Sequence, residues 1–374
     1  MKSTSMLKYL VYNAILGIIG LLTVAGINYY ADPAHLFSGG RYEKRMADIL
    51  ASGAHVANIS DYDERIMQDY YISNLRERKE VIVLGSSRSL QLRSDLFPGM
   101  SFFNHSVSGA TIEDYLAIYG LYRERNFKPS IVVLGLDPWI LNKYNGQSRW
   151  RSLKDEYYSF QKKINNDPDI QPRRMSIDIK QSRFIQLISL AYLEESVKEL
   201  LSNIGDKTQG KFYATNDEKN DKHTILADGS RLYPLEMRLL TIDEVERSAI
   251  SFAKNDPVYS LANFAKLDKY SLTILENFVQ YLQNNKVQVI FYLPPYHPSS
   301  FEILSQSDKY SIILEVEEYY RNLAKHMEIP IYGGYNPDDS GCDRKDFFDG
   351  MHPKASCDKK AFRHLYSEFA SRGQ

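Results

Sequence analysis

Three hydrophobic patterns succeed one another along the chain. The first is a continuous apolar stretch from Tyr9 to Ala31 with no charged residue. As a helix, its 23 residues rise about 34 Å, enough to cross a hydrocarbon core of about 30 Å. Tyr9 and Tyr12 stand at one end and Tyr29 and Tyr30 at the other, where amphipathic rings favour a membrane interface. The stretch exceeds a signal-peptide core and no A-x-A site follows it, so an uncleaved anchor is expected over 9–31. Lys2 and Lys8 precede the span, and Arg41, Lys44 and Arg45 follow it, so flanking charge does not orient it. The short tail, residues 1–8, favours a cytoplasmic N-terminus with the main domain outside the cytoplasm.

The second pattern is a series of short apolar runs bounded by turn residues. They lie at Val81–Leu84, Ile131–Leu134, Val287–Leu293 and Ile329–Tyr332, and read as buried parallel strands. The third is helical periodicity between them, over 111–125 after Gly109 and over 268–285 before Lys286. Strands alternating with helices predict a doubly wound α/β sheet with helices on both faces. Residues 32–80 read as a helical juxtamembrane segment leading into a domain over 81–374. Residues 145–250 break the alternation: charged, Asn- and Asp-rich in places, without a convincing strand, and partly helical over 184–204. They read as an insertion, either a lid or partner surface or plain surface decoration.

Composition narrows the classes. The 374 residues are 43% hydrophobic and 25% charged, ordinary for a globular chain and unlike a disordered or polytopic membrane protein. With 46 basic against 47 acidic side chains, nucleic-acid binding through bulk positive charge is not expected. Two cysteines exclude a disulfide-dense scaffold and a four-cysteine zinc site. No His, Cys and carboxylate set has metal-ligand spacing, so no metal is expected.

Candidate chemistry falls at the carboxyl ends of the strands, where open α/β sheets gather ligands. Ser87 follows the first strand in Gly85-Ser86-Ser87-Arg88, a turn into a probable helix whose amides can face an oxyanion. Ser89 stands where a G-x-S-x-G elbow has its second glycine. Near the C-terminus, Asp349 precedes His352 by three residues, so its carboxylate can hold Nδ1 while Nε2 takes a proton from a serine. Gly109, at the end of a further strand, can bring its amide to an acyl oxygen, and the strand ending in Gly135 leads into Leu136-Asp137-Pro138-Trp139. Arg88 reads as a binder of an anionic group or as a surface arginine, and Trp139 as a sugar-stacking face or packing. His297 and His105 are weaker candidates of the same crevice. Cys342 and Cys357 bracket Asp349 and His352, as a disulfide if the domain is extracytoplasmic or as two buried thiols.

Taken in order, these blocks resemble the SGNH (GDSL-like) hydrolase superfamily, over most of residues 81–370 outside the insertion. The resemblance implies a three-layer doubly wound parallel sheet, Ser87 as nucleophile, His352 as general base and Asp349 as its orienting partner. It also implies oxyanion donors in the amides of Gly109 and Ser87. The Gly-x-Asn block departs from the pattern, reading Gly135-Leu136-Asp137, and an ionised carboxylate cannot donate a hydrogen bond. With the N-terminal span and Asp32-Pro33, the chain is similar to the membrane-bound SGNH-like proteins of envelope polymer modification, those of D-alanyl transfer and alginate O-acetylation. That similarity implies acyl (chiefly acetyl) transfer or ester hydrolysis on an envelope polysaccharide, without a cofactor. Its implied partners are the membrane, the polysaccharide and a membrane-bound O-acyltransferase. A second class stays open here: a catalytically silent scaffold that binds glycan or an acyltransferase, favoured by Asp137 and opposed by the Ser87, Asp349 and His352 set.

Overall fold

The computed structural model of the chain describes residues 2–32, 37, 39–165, 184–205 and 212–365; Pro33 of the Asp-Pro pair lies outside them. Helix α1 (Lys2–Ala31) holds the apolar span. Its stretch Lys8–Ala31 is long and apolar enough to cross a membrane, and its most apolar 18-residue window has mean hydropathy 2.1 with no buried residue. There follow α2 (Arg41–Ala51), β1 (His55–Ala57), α3 (Glu64–Asn74), β2 (Val81–Leu84), β3 (Phe102–Asn104), α4 (Ile112–Glu124), β4 (Ile131–Gly135) and α5 (Lys154–Ile164). Strands β5 (Tyr213–Thr215), β6 (Thr224–Ile225), β7 (Arg231–Leu232), β8 (Gln288–Leu293) and β9 (Ile331–Gly333) come later.

The four expected runs, joined by β3 at one edge, assemble as one parallel five-stranded sheet in the order β3-β2-β4-β8-β9. Its central strands β2 and β4 read as Val/Ile/Leu runs, buried throughout, because both faces are covered. Ile82, Leu84, Val132, Leu134, Phe291 and Leu293 join one apolar cluster, and Val81, Val83, Ile131, Val133 and Ile290 join another with Phe362 and Leu365. Capping matches the predicted helices: Thr111 and Asp114 form a capping box on α4, and Asp268 accepts from the Ser271 amide at the start of Lys269–Asn284. From β2 the chain steps outward to β3, whereas from β4 it steps the other way to β8 and β9. The crevice of such a sheet opens at that reversal, beyond the carboxyl ends of β2 and β4.

Two expectations are revised. The strand placed at Ile329–Tyr332 runs instead over Ile331–Gly333, since Pro330 has no amide to donate and only its carbonyl pairs, accepting from Phe291 N at 2.9 Å. The stretch 145–250 is not strandless: β5, β6 and β7 lie in it and build a second, antiparallel sheet in the order β5-β1-β6-β7. Strand β1 comes from 32–80, so that segment is woven into the fold. Arg65 on α3 makes a buried ion pair with Asp114 on α4, Nε to Oδ1 at 2.9 Å. Strands of two or three residues are too short for a period-two signal. The turn between β6 and β7 fastens this sheet to the first, for Asn104 N donates to Asp228 O at 2.8 Å and Arg231 N to Leu90 O at 2.9 Å.

Near the carboxyl end of β8, the Tyr292 hydroxyl donates to Asp358 Oδ1 on helix Ala355–Ala361 at 2.5 Å. Burial pushes the Asp358 carboxyl up to about 8, against the opposing pull of the Tyr292 bond and Arg93. The unfolded carboxyl releases its proton near pH 4, so between about pH 4 and 8 the folded form holds a proton the unfolded form lacks, and stability falls as pH rises. Asp358→Asn keeps the Tyr292 acceptor and removes the charge. It is expected to stabilise by about 1–3 kcal/mol at pH 8, with a smaller gain at pH 5. Urea unfolding of the full-length protein in detergent at both pH values checks this, and an equal difference at both would refute it.

Candidate active site

Strand β2 ends at Leu84, and Ser86 caps the single tight turn Ser87–Ser89 by accepting from Arg88 N at 3.1 Å. Ser86, Arg88 and Ser89 are buried while Ser87 stays partly exposed, so one hydroxyl of the turn faces outward. Ser89 fills the gap between the ends of β2 and β4. A Cβ added to Gly135 would meet its Oγ at 2.1 Å, so position 135 must be glycine. The turn thus reaches an elbow-like shape with a serine where a glycine was expected.

His352 lies on the loop before helix Ala355–Ala361, with its Nε2 at 3.0 Å from Ser87 Oγ. Its Nδ1 is 2.7 Å from Asp349 Oδ2, and the other Asp349 oxygen accepts from the amides of Met351 (2.8 Å) and His352 (2.9 Å). Burial alone would raise the Asp349 carboxyl, but the His352 charge and hydrogen bond, with the two amides, outweigh it and hold it at about 2. At neutral pH the carboxylate is therefore ionised and accepts from Nδ1–H, leaving Nε2 free to accept from Ser87. His297 N donates to Gly350 O at 3.1 Å, and Cys342–Cys357 form a disulfide across the loop. By the chain-entropy account, a closure of 15 residues contributes about 3 kcal/mol.

Gly109 lies five residues beyond the end of β3, in a loop whose Val107 amide donates to Gly85 O at 3.0 Å beside the Ser87 turn. At φ +61° its backbone is left-handed, and an added Cβ would strike Gln147 Oε1 at 2.5 Å and the Tyr259 hydroxyl at 2.7 Å. Among the described residues, neither the Gly109 nor the Ser87 amide donates to a protein acceptor. Both are open donors.

The remaining candidates take other roles. Arg88 is fully buried, with its donors turned to protein acceptors. Its Nη1 donates to Asp137 Oδ1 at 3.0 Å, its Nε to Met351 O at 2.9 Å and its Nη2 to Pro294 O, with the guanidinium 3.8 Å from the Tyr296 ring centroid. Asp137 is thereby spent as the counter-ion of Arg88 rather than aimed at an oxyanion. Burial pushes its carboxyl up, and the Arg88 charge opposes that. Trp139 is packed in the core, with Nε1 donating to Ala110 O at 3.0 Å, so it presents no face to a sugar. His105 is buried between Gln68 (2.6 Å) and the Tyr122 hydroxyl (2.8 Å), a satisfied core histidine whose protonation burial disfavours. His297 is buried too and caps helix Pro298–Ser305 by accepting from Ser299 N at 3.2 Å.

Several neighbours carried no sequence signal. Tyr233, just after β7, sets its ring 6.4 Å from that of His352 and against Phe348. Gln147 and Tyr259 stand before Gly109, their side chains joined at 3.2 Å. Tyr115, Tyr335 and Tyr320 donate their hydroxyls to the carbonyls of Gly135, Leu136 and Asp137 in turn, fixing the turn after β4. All come from distant parts of the chain, so no local spacing could announce them.

A family model described as a protein of unknown function (DUF1574) matches residues 60–369, a span that contains every residue of this site. No curated protein matches the chain.

Removing Arg88 leaves Asp137 buried without its cation. Arg88→Met is expected to cost about 3–5 kcal/mol, and adding Asp137→Asn to recover part of the loss. Urea midpoints of the full-length protein in detergent check both; a parental midpoint for Arg88→Met would mean that the pair holds nothing.

Proposed function

This chain belongs to the DUF1574 family, and we propose that it is a membrane-anchored serine enzyme that transfers or hydrolyses acyl groups. The observation that carries the reading is the continuous chain Ser87 Oγ, His352 Nε2, His352 Nδ1 and Asp349 Oδ2, with links of 3.0 and 2.7 Å. Those lengths are within hydrogen-bond reach for a nucleophile, its base and the group that orients the base. In the proposed reaction Ser87 Oγ attacks an ester carbonyl as its proton passes to His352 Nε2. The Asp349 carboxylate keeps the imidazole in the right tautomer and stabilises its charged form. The open amides of Ser87 and Gly109 are suited to the oxyanion. As the tetrahedral intermediate collapses, the leaving alcohol takes the proton from His352 and the acyl group stays on Ser87. A second hydroxyl, from a sugar or from water, then reverses the sequence.

The substrate class follows from the resemblance to SGNH proteins of envelope polymers: esters, chiefly O-acetyl, of a cell-envelope polysaccharide, with a membrane-bound O-acyltransferase as partner. An SGNH-like three-layer domain outside the cytoplasm fits this reading, and the Cys342–Cys357 disulfide supports the placement, because such bonds persist in oxidising compartments. A catalytically silent glycan- or partner-binding domain draws support from Asp137, whose engagement with Arg88 leaves no side-chain donor at that position.

Fluorophosphonate labelling of the full-length protein in detergent separates these readings. The parent is expected to label, with Ser87→Ala and His352→Ala removing the signal. Asp349→Asn, which disturbs the tautomer while leaving the nucleophile, is expected to slow labelling by about 10²–10⁴-fold. A folded parent that does not label would overturn the enzyme reading in favour of the silent domain.

A further inference from the structure

The insertion contains a helix, Leu190–Gly205, with three distinct faces. Leu190, Leu193, Val197 and Leu201 recur at helical spacing along one of them. Leu190 is 74% exposed and Leu201 62%, and Phe184, Ile185 and Ile188 just before the helix are exposed as well. A second face carries Glu194, Glu195 and Lys198, with the lysine 2.9 and 2.8 Å from the two carboxylates. On the third, Tyr192 and Ser196 are buried, and the helix packs against α1.

The contact is made at one end of the apolar span. Asn28, fully buried, donates its side-chain amide towards the carbonyls of Gln186 (3.0 Å), Leu187 (2.9 Å) and Ser189 (3.2 Å). The Tyr192 hydroxyl donates to Asp32 Oδ1 at 2.9 Å, where the apolar stretch gives way to charge. The polar backbone of the turn is thereby satisfied by the anchor, as an approach to hydrocarbon requires.

We infer that residues 184–205 are a second membrane contact, an amphipathic helix lying in the interface of the leaflet next to the main domain. A bilayer fits because the helix packs directly on α1, whose own Ile19, Leu21 and Leu22 are exposed, so apolar side chains stand uncovered on both packed elements. The segment has three glutamates (Glu194, Glu195, Glu199) against one lysine (Lys198), so apolar burial rather than attraction to anionic lipid drives it. Two contacts instead of one fix the height and tilt of the main domain above the leaflet. The inference rests on α1 spanning the bilayer and is independent of the chemistry at Ser87.

The full-length protein in phosphatidylcholine vesicles, labelled with an environment-sensitive fluorophore at one introduced cysteine, tests it. The two native cysteines are joined in the disulfide and do not compete. Labels at Leu190→Cys and Leu201→Cys are expected to shift to the blue, lose quenching by aqueous iodide and gain quenching by nitroxide lipids at about 5–10 Å depth. A label at Glu195→Cys is expected to keep full iodide quenching, and one at Leu16→Cys to report the bilayer interior. Iodide quenching at Leu190 and Leu201 equal to that at Glu195, with Leu16 in lipid, would overturn the proposal and leave the face to a protein partner. An aqueous Leu16 label would overturn it at the level of the span itself. Circular dichroism matched to the parent guards each variant against misfolding, and two independent apolar positions guard against a local effect of one label.

Discussion

Arg88 carries a permanent charge into a space without solvent and divides its donors among Asp137, Pro294 and Met351, which stand 49, 206 and 263 residues further along the chain. Each partner lies just beyond the end of a strand or on the loop that carries His352. A guanidinium suits this task because its donors are fixed in one plane, so three partners bound at once are held in fixed relative positions. Arg88 therefore pins the His352 loop, through Met351, to the turn that presents Ser87. The 3.0 Å link between Ser87 and His352 is built on that pin.

Such a pin demands a counter-ion, and this accounts for the aspartate at 137. A buried cation costs several kcal/mol unless it is paired and hydrogen-bonded. Asparagine there could accept one bond but could not neutralise the charge. In the proposed reaction a side-chain donor to the oxyanion is thereby given up, and losing one such donor typically slows an acyl transfer by about 10²–10³. The turn that holds Asp137 is stiffened in compensation, three tyrosine hydroxyls binding its successive carbonyls. Tyrosine is abundant in this chain, and around the site it serves mostly to satisfy buried backbone.

The rest of the architecture supports the same corner. The small antiparallel sheet takes β1 from before the parallel sheet and three strands from the insertion, and its turn closes the β3 edge beside the Ser87 segment. Tyr233, just past its last strand, reaches the His352 side. The insertion thus reaches both the His352 loop, through Tyr233, and α1, through helix Leu190–Gly205.

Read alone, the sequence determined the parts whose signals are local. The apolar span, the buried strands at Val81–Leu84 and Ile131–Leu134, the helical periodicity of the segments between strands and the Asp-x-x-His spacing are each local to one segment of chain, where periodicity and turn chemistry operate. Tertiary structure alone decided which of the residues beyond the strand ends meet. It sank Arg88, Trp139 and His105, turned Asp137 toward a cation, and joined β1 to β5 across more than a hundred residues. The reason is physical: a side chain's role depends on its burial and on what faces it, and both are set by segments too far apart in sequence for any local pattern to record.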